Sequence, residues 1–200
     1  MSTIAPKLQR AVSFLETGNL ADADRLCKEI LRMEPRHCDA LHLRGLAALQ
    51  DGKIAAGIEW IQRSLKINPN QALAYSNLGN ALLKLHRAEE ALEAFNQALR
   101  LDPELFLALY NRGHALLALG RYEEALAMLG RALRSIPGDP DALGDHALAL
   151  LKLGRADDAL QDLERAMKAQ PRSARLHNDF GNTLMELGRH AEALRFFDLA

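Results

Sequence analysis

The chain of 200 residues carries 25 lysines and arginines against 26 aspartates and glutamates, for a formal net charge of -1. This balance gives no broad positive field for nucleic acid or for an anionic membrane surface. Hydrophobic residues make up 48% of the chain and aromatic residues only 5%, which favours packed helices over a β-sheet. No segment has the roughly 18 apolar residues of a membrane helix, and the N-terminus lacks the apolar run of a signal peptide.

Cysteine and histidine usage gives no sign of a catalytic or metal site. Cys27 and Cys38 are the only cysteines, and because they form no metal-binding spacing we expect reduced thiols in a cytoplasmic protein, with a disulfide as the alternative. The seven histidines form no HExxH motif, and the chain has no glycine-rich phosphate loop or nucleophile elbow. The sequence therefore predicts no cofactor, no metal and no catalysis within these residues.

Prolines mark a regular internal repeat. They stand at positions 35, 69, 103, 137 and 171, and every interval between them is 34 residues. A fixed period of this length is typical of repeat proteins built from short helical units. With the proline at repeat position 32, the repeats are 4–37, 38–71, 72–105, 106–139, 140–173 and 174–200, the last one incomplete.

Each repeat is predicted to hold two helices joined by a tight turn. Repeat position 15 is glycine in five of the six repeats and is His86 in the third repeat. We therefore expect a left-handed residue to close the first helix there. His86 should either adopt that conformation with some strain or close the turn differently. The second helix opens with acids such as Glu89 and Glu123 and closes with bases such as Arg100 and Arg134, which opposes the helix dipole at both ends.

Small residues recur at the positions where two helices should cross. Position 8 of each repeat is glycine or alanine, as at Gly79 and Gly113. Position 20 is likewise glycine or alanine in every repeat, as at Ala91 and Ala125. Large apolar residues at positions 11 and 24, such as Leu116 and Leu129, fill the space beside them. One such hairpin cannot bury its apolar face alone, so neighbouring hairpins must stack. The predicted fold is an all-α single array over residues 1–200.

These columns closely resemble the tetratricopeptide repeat (TPR) family. The 34-residue period, the small residues at positions 8, 20 and 27 and the proline at position 32 carry the resemblance over essentially the whole chain. It implies antiparallel helix pairs stacked into a right-handed superhelical solenoid, with the first helices lining a concave groove. It also implies a protein-protein interaction scaffold rather than a catalyst.

Within that family, residues 74–80, AYSNLGN, look like repeats of the O-linked N-acetylglucosamine transferases, where asparagines along the groove hold peptide backbone. A side-chain amide has both donor and acceptor, so it can pair with an extended main chain without reading its sequence. The alternative is that these groups are solvated or bond a neighbouring helix, which we favour for Asp145 and Asp179. The predicted peptide-binding residues are Ser76, Asn77, Asn80, Tyr110, Asn111, His114, Asn178 and Asn182.

Two functions are compatible with this pattern. The first is a scaffold that holds a peptide or a partner helix in the groove. The second is the substrate-recruiting arm of a larger enzyme, most plausibly a glycosyltransferase, whose catalytic domain follows residue 200. The sequence stops inside the second helix of the last repeat, and we expect further repeats or another domain beyond it.

The last helix also predicts self-association. Leu194 and Phe197 should face a missing neighbour, and covering each is worth roughly 1.5 to 3 kcal/mol. Sedimentation of this 200-residue chain should therefore show concentration-dependent association. A well-folded chain that stays monomeric at high concentration would contradict it.

Overall fold

The computed structural model describes residues 4–200, which form twelve α-helices and no strand. The first helices of the repeats are α1 (Ile4–Glu16), α3 (Cys38–Gln50), α5 (Ala72–Lys84), α7 (Phe106–Ala118), α9 (Pro140–Lys152) and α11 (Ala174–Glu186). The second helices are α2 (Leu20–Met33), α4 (Ile54–Ile67), α6 (Ala88–Leu101), α8 (Tyr122–Ser135), α10 (Ala156–Ala169) and α12 (His190–Phe197). Every first helix begins at the first residue of a predicted repeat. The predicted all-α fold is confirmed.

The chain divides into two compact units, unit 1 ending at Pro103 and unit 2 running from Glu104 to Ala200. Each unit holds three helix pairs. The expectation of one continuous array over 1–200 stays a prediction.

Within each unit the helices stack in chain order. Each first helix packs against its own second helix, and each second helix packs against the next first helix of the same unit. Successive first helices of a unit, such as α7 and α9, also contact each other. Successive second helices of the same unit make no contact in the described part of the chain. The first helices therefore lie on the shorter side of each stack. We call this side the inner face of the unit.

A left-handed residue closes each first helix, as the glycine column predicts. The five glycines have φ between 71° and 76°, and His86 takes the same conformation at φ 58°. In repeat 5 the N–H of Arg155 then reaches back to the carbonyl of Leu150 at 2.9 Å. Of the two outcomes expected for His86, the structure shows the left-handed conformation normally left to glycine.

The small-residue columns mark close helix crossings. A Cβ atom on Gly113 would lie 2.6 Å from Cγ of Leu129, and one on Gly181 would lie 2.5 Å from Cε1 of Phe197. Contacts this short do not occur between real atoms, so a side chain at either glycine would push the two helices apart. The small residues are thus required by packing.

Both cysteines are free thiols. Cys27 is fully buried in the core of repeat 1, and this burial raises its pKa to about 11. The thiolate is the reactive form of cysteine, so Cys27 is chemically inert in the folded chain. Among the helices of residues 4–200, none is both long and apolar enough to cross a bilayer.

Replacing His86 by glycine should stabilise the protein, because glycine adopts φ 58° without the steric penalty that a Cβ brings. The gain in the free energy of unfolding should be about 1 kcal/mol or less, measured by urea denaturation.

The matched control is Gly154→His, at the same repeat position with φ +75° and no atom within 4 Å of the added Cβ. It should lower stability by a similar amount. If neither variant changes the unfolding midpoint, the backbone strain assigned to His86 is absent.

Candidate functional site

In unit 1 the predicted binding residues lie together on α5. Asn80 is half-buried, and the half-buried Asn77 donates an amide hydrogen to Nε2 of His42 on α3 at 3.1 Å. Ser76 is only 1% exposed and its hydroxyl has no hydrogen-bond partner. Asn77 therefore bonds a neighbouring helix, one of the two roles expected for it, and Ser76 lies below the surface.

In unit 2 an aromatic strip runs along the inner face of α7. The rings of Phe106 and Tyr110 are stacked with centroids 6.0 Å apart, and the His114 ring follows at 6.3 Å from Tyr110. The three residues are spaced by four along the helix, which places them on one side of it. Asn111 is half-buried beside them, and the His114 side chain is 60% exposed.

Asp145 on α9 joins the three first helices of unit 2. Its carboxylate accepts from Nδ1–H of His114 on α7 at 2.8 Å and from Nη1–H of Arg175 on α11 at 3.0 Å. The carboxylate can only accept, so the His114 proton is assigned to Nδ1. The Asp145 side chain is just 6% exposed. Of the two roles expected for this aspartate, solvation or bonding to a neighbouring helix, the structure shows the second.

Arg175 was not among the predicted binding residues. Its guanidinium lies over Gly144, where a Cβ atom would come within 2.8 Å of Nη2, and it also bonds Asp141 at 3.1 Å and approaches Asp179 at 4.0 Å. Two signals could have revealed it. Asp141 and Arg175 occupy the same position of successive repeats with opposite charge, and Gly144 leaves the space that a guanidinium needs.

The pKa values on the inner faces follow from this network. The hydrogen bond that His114 donates to the Asp145 carboxylate raises the pKa of His114 above its ordinary value. Burial, with the nearby charges of Asp145 and Asp141, raises the pKa of Tyr110 to about 12. Burial also raises the pKa of Asp179, and in unit 1 burial lowers the pKa of His42. His42 is therefore held neutral, as its acceptor role toward Asn77 requires.

A cavity of about 250 Å³ opens between α9 and α11 on the inner face of unit 2. Its floor is formed by Ala147 and Leu163, and its apolar walls include Leu148, Leu151 and Met185. Polar and charged residues form the other half of the lining, namely Lys152, Asp179, Thr183, Glu186 and the exposed Asn182. A pocket that combines apolar walls with polar groups is the usual form of a binding site.

Most of the predicted asparagines have amides available for a ligand. Within residues 4–200, no hydrogen bond engages the side chains of Asn80, Asn111, Asn178 and Asn182. No group of three or more histidine, cysteine or acidic side chains in this range could hold a metal ion. What the described site can do is bind: it offers amides, a pocket, an aromatic strip and carboxylates.

A family model described as tetratricopeptide repeat matches the chain three times in succession, at residues 8–72, 76–140 and 145–200. The three matches together cover most of the sequence. No curated protein matches the chain significantly.

Solved structures share the fold at low sequence identity. The type IV pilus biogenesis factor PilW is 22% identical, with a TM-score of 0.87 over 98% of this chain and 91% of that one. MamA from Desulfovibrio magneticus RS-1 is 21% identical, with a TM-score of 0.76 over 80% and 91%. YrrB, described as a TPR protein with an unusual peptide-binding site, is 20% identical, with a TM-score of 0.70 over 86% and 88%. None of these three is described as a glycosyltransferase, and that narrower resemblance stays a prediction.

Replacing Asp145 by asparagine should lower the pKa of His114, because the carboxylate that raises it is removed. A group whose pKa is raised by folding stabilises the folded state when it is protonated. This contribution is fully present below about pH 6.5, the ordinary imidazole value, and is lost as pH rises through the raised pKa. NMR titration of the His114 ring protons measures the shift directly.

Asp141→Asn serves as the control, because Asp141 bonds Arg175 and not His114. It should change the His114 pKa less than Asp145→Asn does. An unchanged His114 titration in the Asp145 variant would rule out the hydrogen bond as the cause.

Proposed function

Because the chain belongs to the tetratricopeptide repeat family, we propose that it is an interaction scaffold whose inner faces hold an extended segment of a partner protein. The partner's main chain pairs with asparagine amides, and an apolar side chain of the partner enters the cavity between α9 and α11. The chain contributes recognition and no chemistry.

The cavity of about 250 Å³ beside Asn182 is the observation that carries this proposal. A cavity of this size fits a single apolar side chain rather than a whole small-molecule ligand, since ligand pockets typically reach 300 to 1,000 Å³. Asn182 stands at the cavity with its amide uncommitted, so it can bond the main chain on either side of the inserted residue. Asn178 lies one helical turn earlier on the same face of α11.

The net charge supports the proposed class of partner, and the state of the cysteines supports the proposed compartment of the chain. The formal net charge of -1 gives no electrostatic advantage with nucleic acid, which favours a protein or peptide partner. The two free thiols agree with a reducing compartment, and we retain the cytoplasm as the proposed location. The structural neighbour YrrB is described as a TPR protein with an unusual peptide-binding site, which also favours a peptide partner.

Removing the inner-face amides should weaken peptide capture without unfolding the chain. Peptide ligands are first selected from a random-sequence library against the intact protein, and their dissociation constants are then measured by fluorescence polarisation. The double variant Asn111→Ala with Asn182→Ala should bind about fivefold to 150-fold more weakly, because each of the two lost hydrogen bonds is worth about 0.5 to 1.5 kcal/mol. Helicity by circular dichroism should be unchanged.

Asn70→Ala is the matched control, since Asn70 is an exposed asparagine in the connection between α4 and α5. It should bind as the wild type does. A second variant, Leu148→Trp, fills the cavity from a wall residue that is 38% exposed and should also lose affinity. Selected peptides that bind all these variants equally would show that the inner face of unit 2 is not the binding site.

A further inference from the structure

We propose that the inner face of unit 2 selects partner segments that carry a basic side chain, arginine in preference to lysine, about four residues away from an apolar one. The basic group binds between α7 and α9, and the apolar group enters the cavity between α9 and α11. This inference rests on the proposed function and specifies the chemistry of the partner.

The inner face of unit 2 has an excess of negative charge. Asp141, Asp145 and Asp179 surround a single guanidinium, that of Arg175. Three carboxylates against one guanidinium leave two negative charges uncompensated when His114 is neutral. A partner that brings a cation to this face is therefore favoured, and one that brings a carboxylate is repelled.

The aromatic strip of α7 lies beside these carboxylates. The Tyr110 ring lies 6.3 Å, centroid to centroid, from the His114 ring, and His114 bonds Asp145 at 2.8 Å, so Tyr110 stands near the negative cluster. Asp141 is the most exposed of the three acids, with 57% of its side chain accessible. A cation placed over the Tyr110 ring would be attracted both by the π-face of the ring and by the carboxylate of Asp141.

Arg175 shows which cation the surface fits. Its planar guanidinium spans Asp141 and Asp145, bonding the first through Nη2 and the second through Nη1, and it lies flat over Gly144. The same planar fork stacks on aromatic rings, which the compact ammonium of lysine does less well. A second guanidinium from a partner is the natural complement to a stacked ring flanked by carboxylates.

The spacing follows from the stack of first helices. The aromatic strip and the carboxylates lie at the α7 and α9 side of the face, whereas the cavity lies between α9 and α11. Across the helices these two places are about one helix spacing apart, roughly 8 to 10 Å. Along the helices the cavity lies further on, because Asp141 stands near the start of α9 and Leu148 about two turns later, which adds roughly 10 Å at 1.5 Å per residue. An extended peptide covers the resulting distance, roughly 13 to 14 Å, in about four residues at roughly 3.3 Å per residue.

The same groups give the interaction a pH dependence. His114 faces Tyr110 on its own helix, Asp145 on α9 and the charge of Arg175 on α11. Protonating His114 adds a positive charge to the strip, and protonating Asp179 removes a negative one. Both changes occur as pH falls, so affinity for a basic segment should fall with them.

The test compares three blocked hexapeptides that differ at one residue. The first is acetyl-Arg-Ala-Ala-Ala-Leu-Ala-amide, the second has citrulline in place of arginine, and the third has glutamate there. Citrulline keeps the shape of arginine but carries no charge. Binding to the full 200-residue chain is followed by NMR titration, which detects weak complexes, at low and at raised salt.

The arginine peptide should bind about fivefold to tenfold more tightly than the citrulline peptide, the glutamate peptide should bind most weakly, and salt should reduce the difference. Tyr110→Leu and Asp141→Asn should each remove most of the arginine preference. The control Asp157→Asn makes the same charge change on the outer helix α10, at an exposed aspartate of the same unit, and should keep the preference.

The outcomes separate the two proposals. Equal binding of the arginine and citrulline peptides, or tighter binding of the glutamate peptide, overturns the basic preference and leaves peptide binding standing. No binding of any hexapeptide, together with no ligand from the random library, overturns the proposed function as well. If Tyr110→Leu disturbs the fold, seen as lost dispersion in its NMR spectrum, the Asp141→Asn variant decides alone.

Discussion

The close crossing of two helices within each repeat is the contact on which the rest of the structure depends. At Gly113 and Gly181 the partner side chain already lies within 3 Å of where a Cβ would stand, so the helices approach as nearly as their backbones allow. This approach buries the large apolar residues of the hairpin and fixes the rotation of each first helix about its axis. That rotation decides which residues point to the inner face. Function can therefore vary there without disturbing the packing.

The inner faces of the two units use this freedom differently. In unit 1 the face carries exposed aliphatic side chains, Val12 at 39% and Leu73 at 52%, together with the amides of α5. In unit 2 it carries the aromatic strip, three acids and an arginine. The scaffold positions are the same in both units, and only the residues placed on them differ. A repeat fold can in this way present two chemically distinct surfaces from one backbone pattern.

The sequence predicted the helix pairs almost completely, because the proline spacing, small residues and glycine turns act over a few residues and recur in at least five of the six repeats. The inner-face positions came from the resemblance to tetratricopeptide repeat proteins, whose first helices line a groove. The sequence did not predict how the polar side chains at these positions would pair. Whether Asn77 meets a ligand or His42 depends on side-chain rotamers across two helices, which a column of residue types does not contain. Arg175 was missed because a charged residue at that position is as easily solvated as bonded, and only the space above Gly144 decides between them.

The buried thiol of repeat 1 gives the molecule a built-in reporter of its own motion. Cys27 has no exposed surface and a pKa near 11, so an alkylating reagent reaches it only when the hairpin of α1 and α2 opens. Cys38, at the start of the next helix, is partly accessible and reacts without such opening. The ratio of the two labelling rates therefore reports how often this hairpin opens under native conditions, separately from the opening of any other repeat.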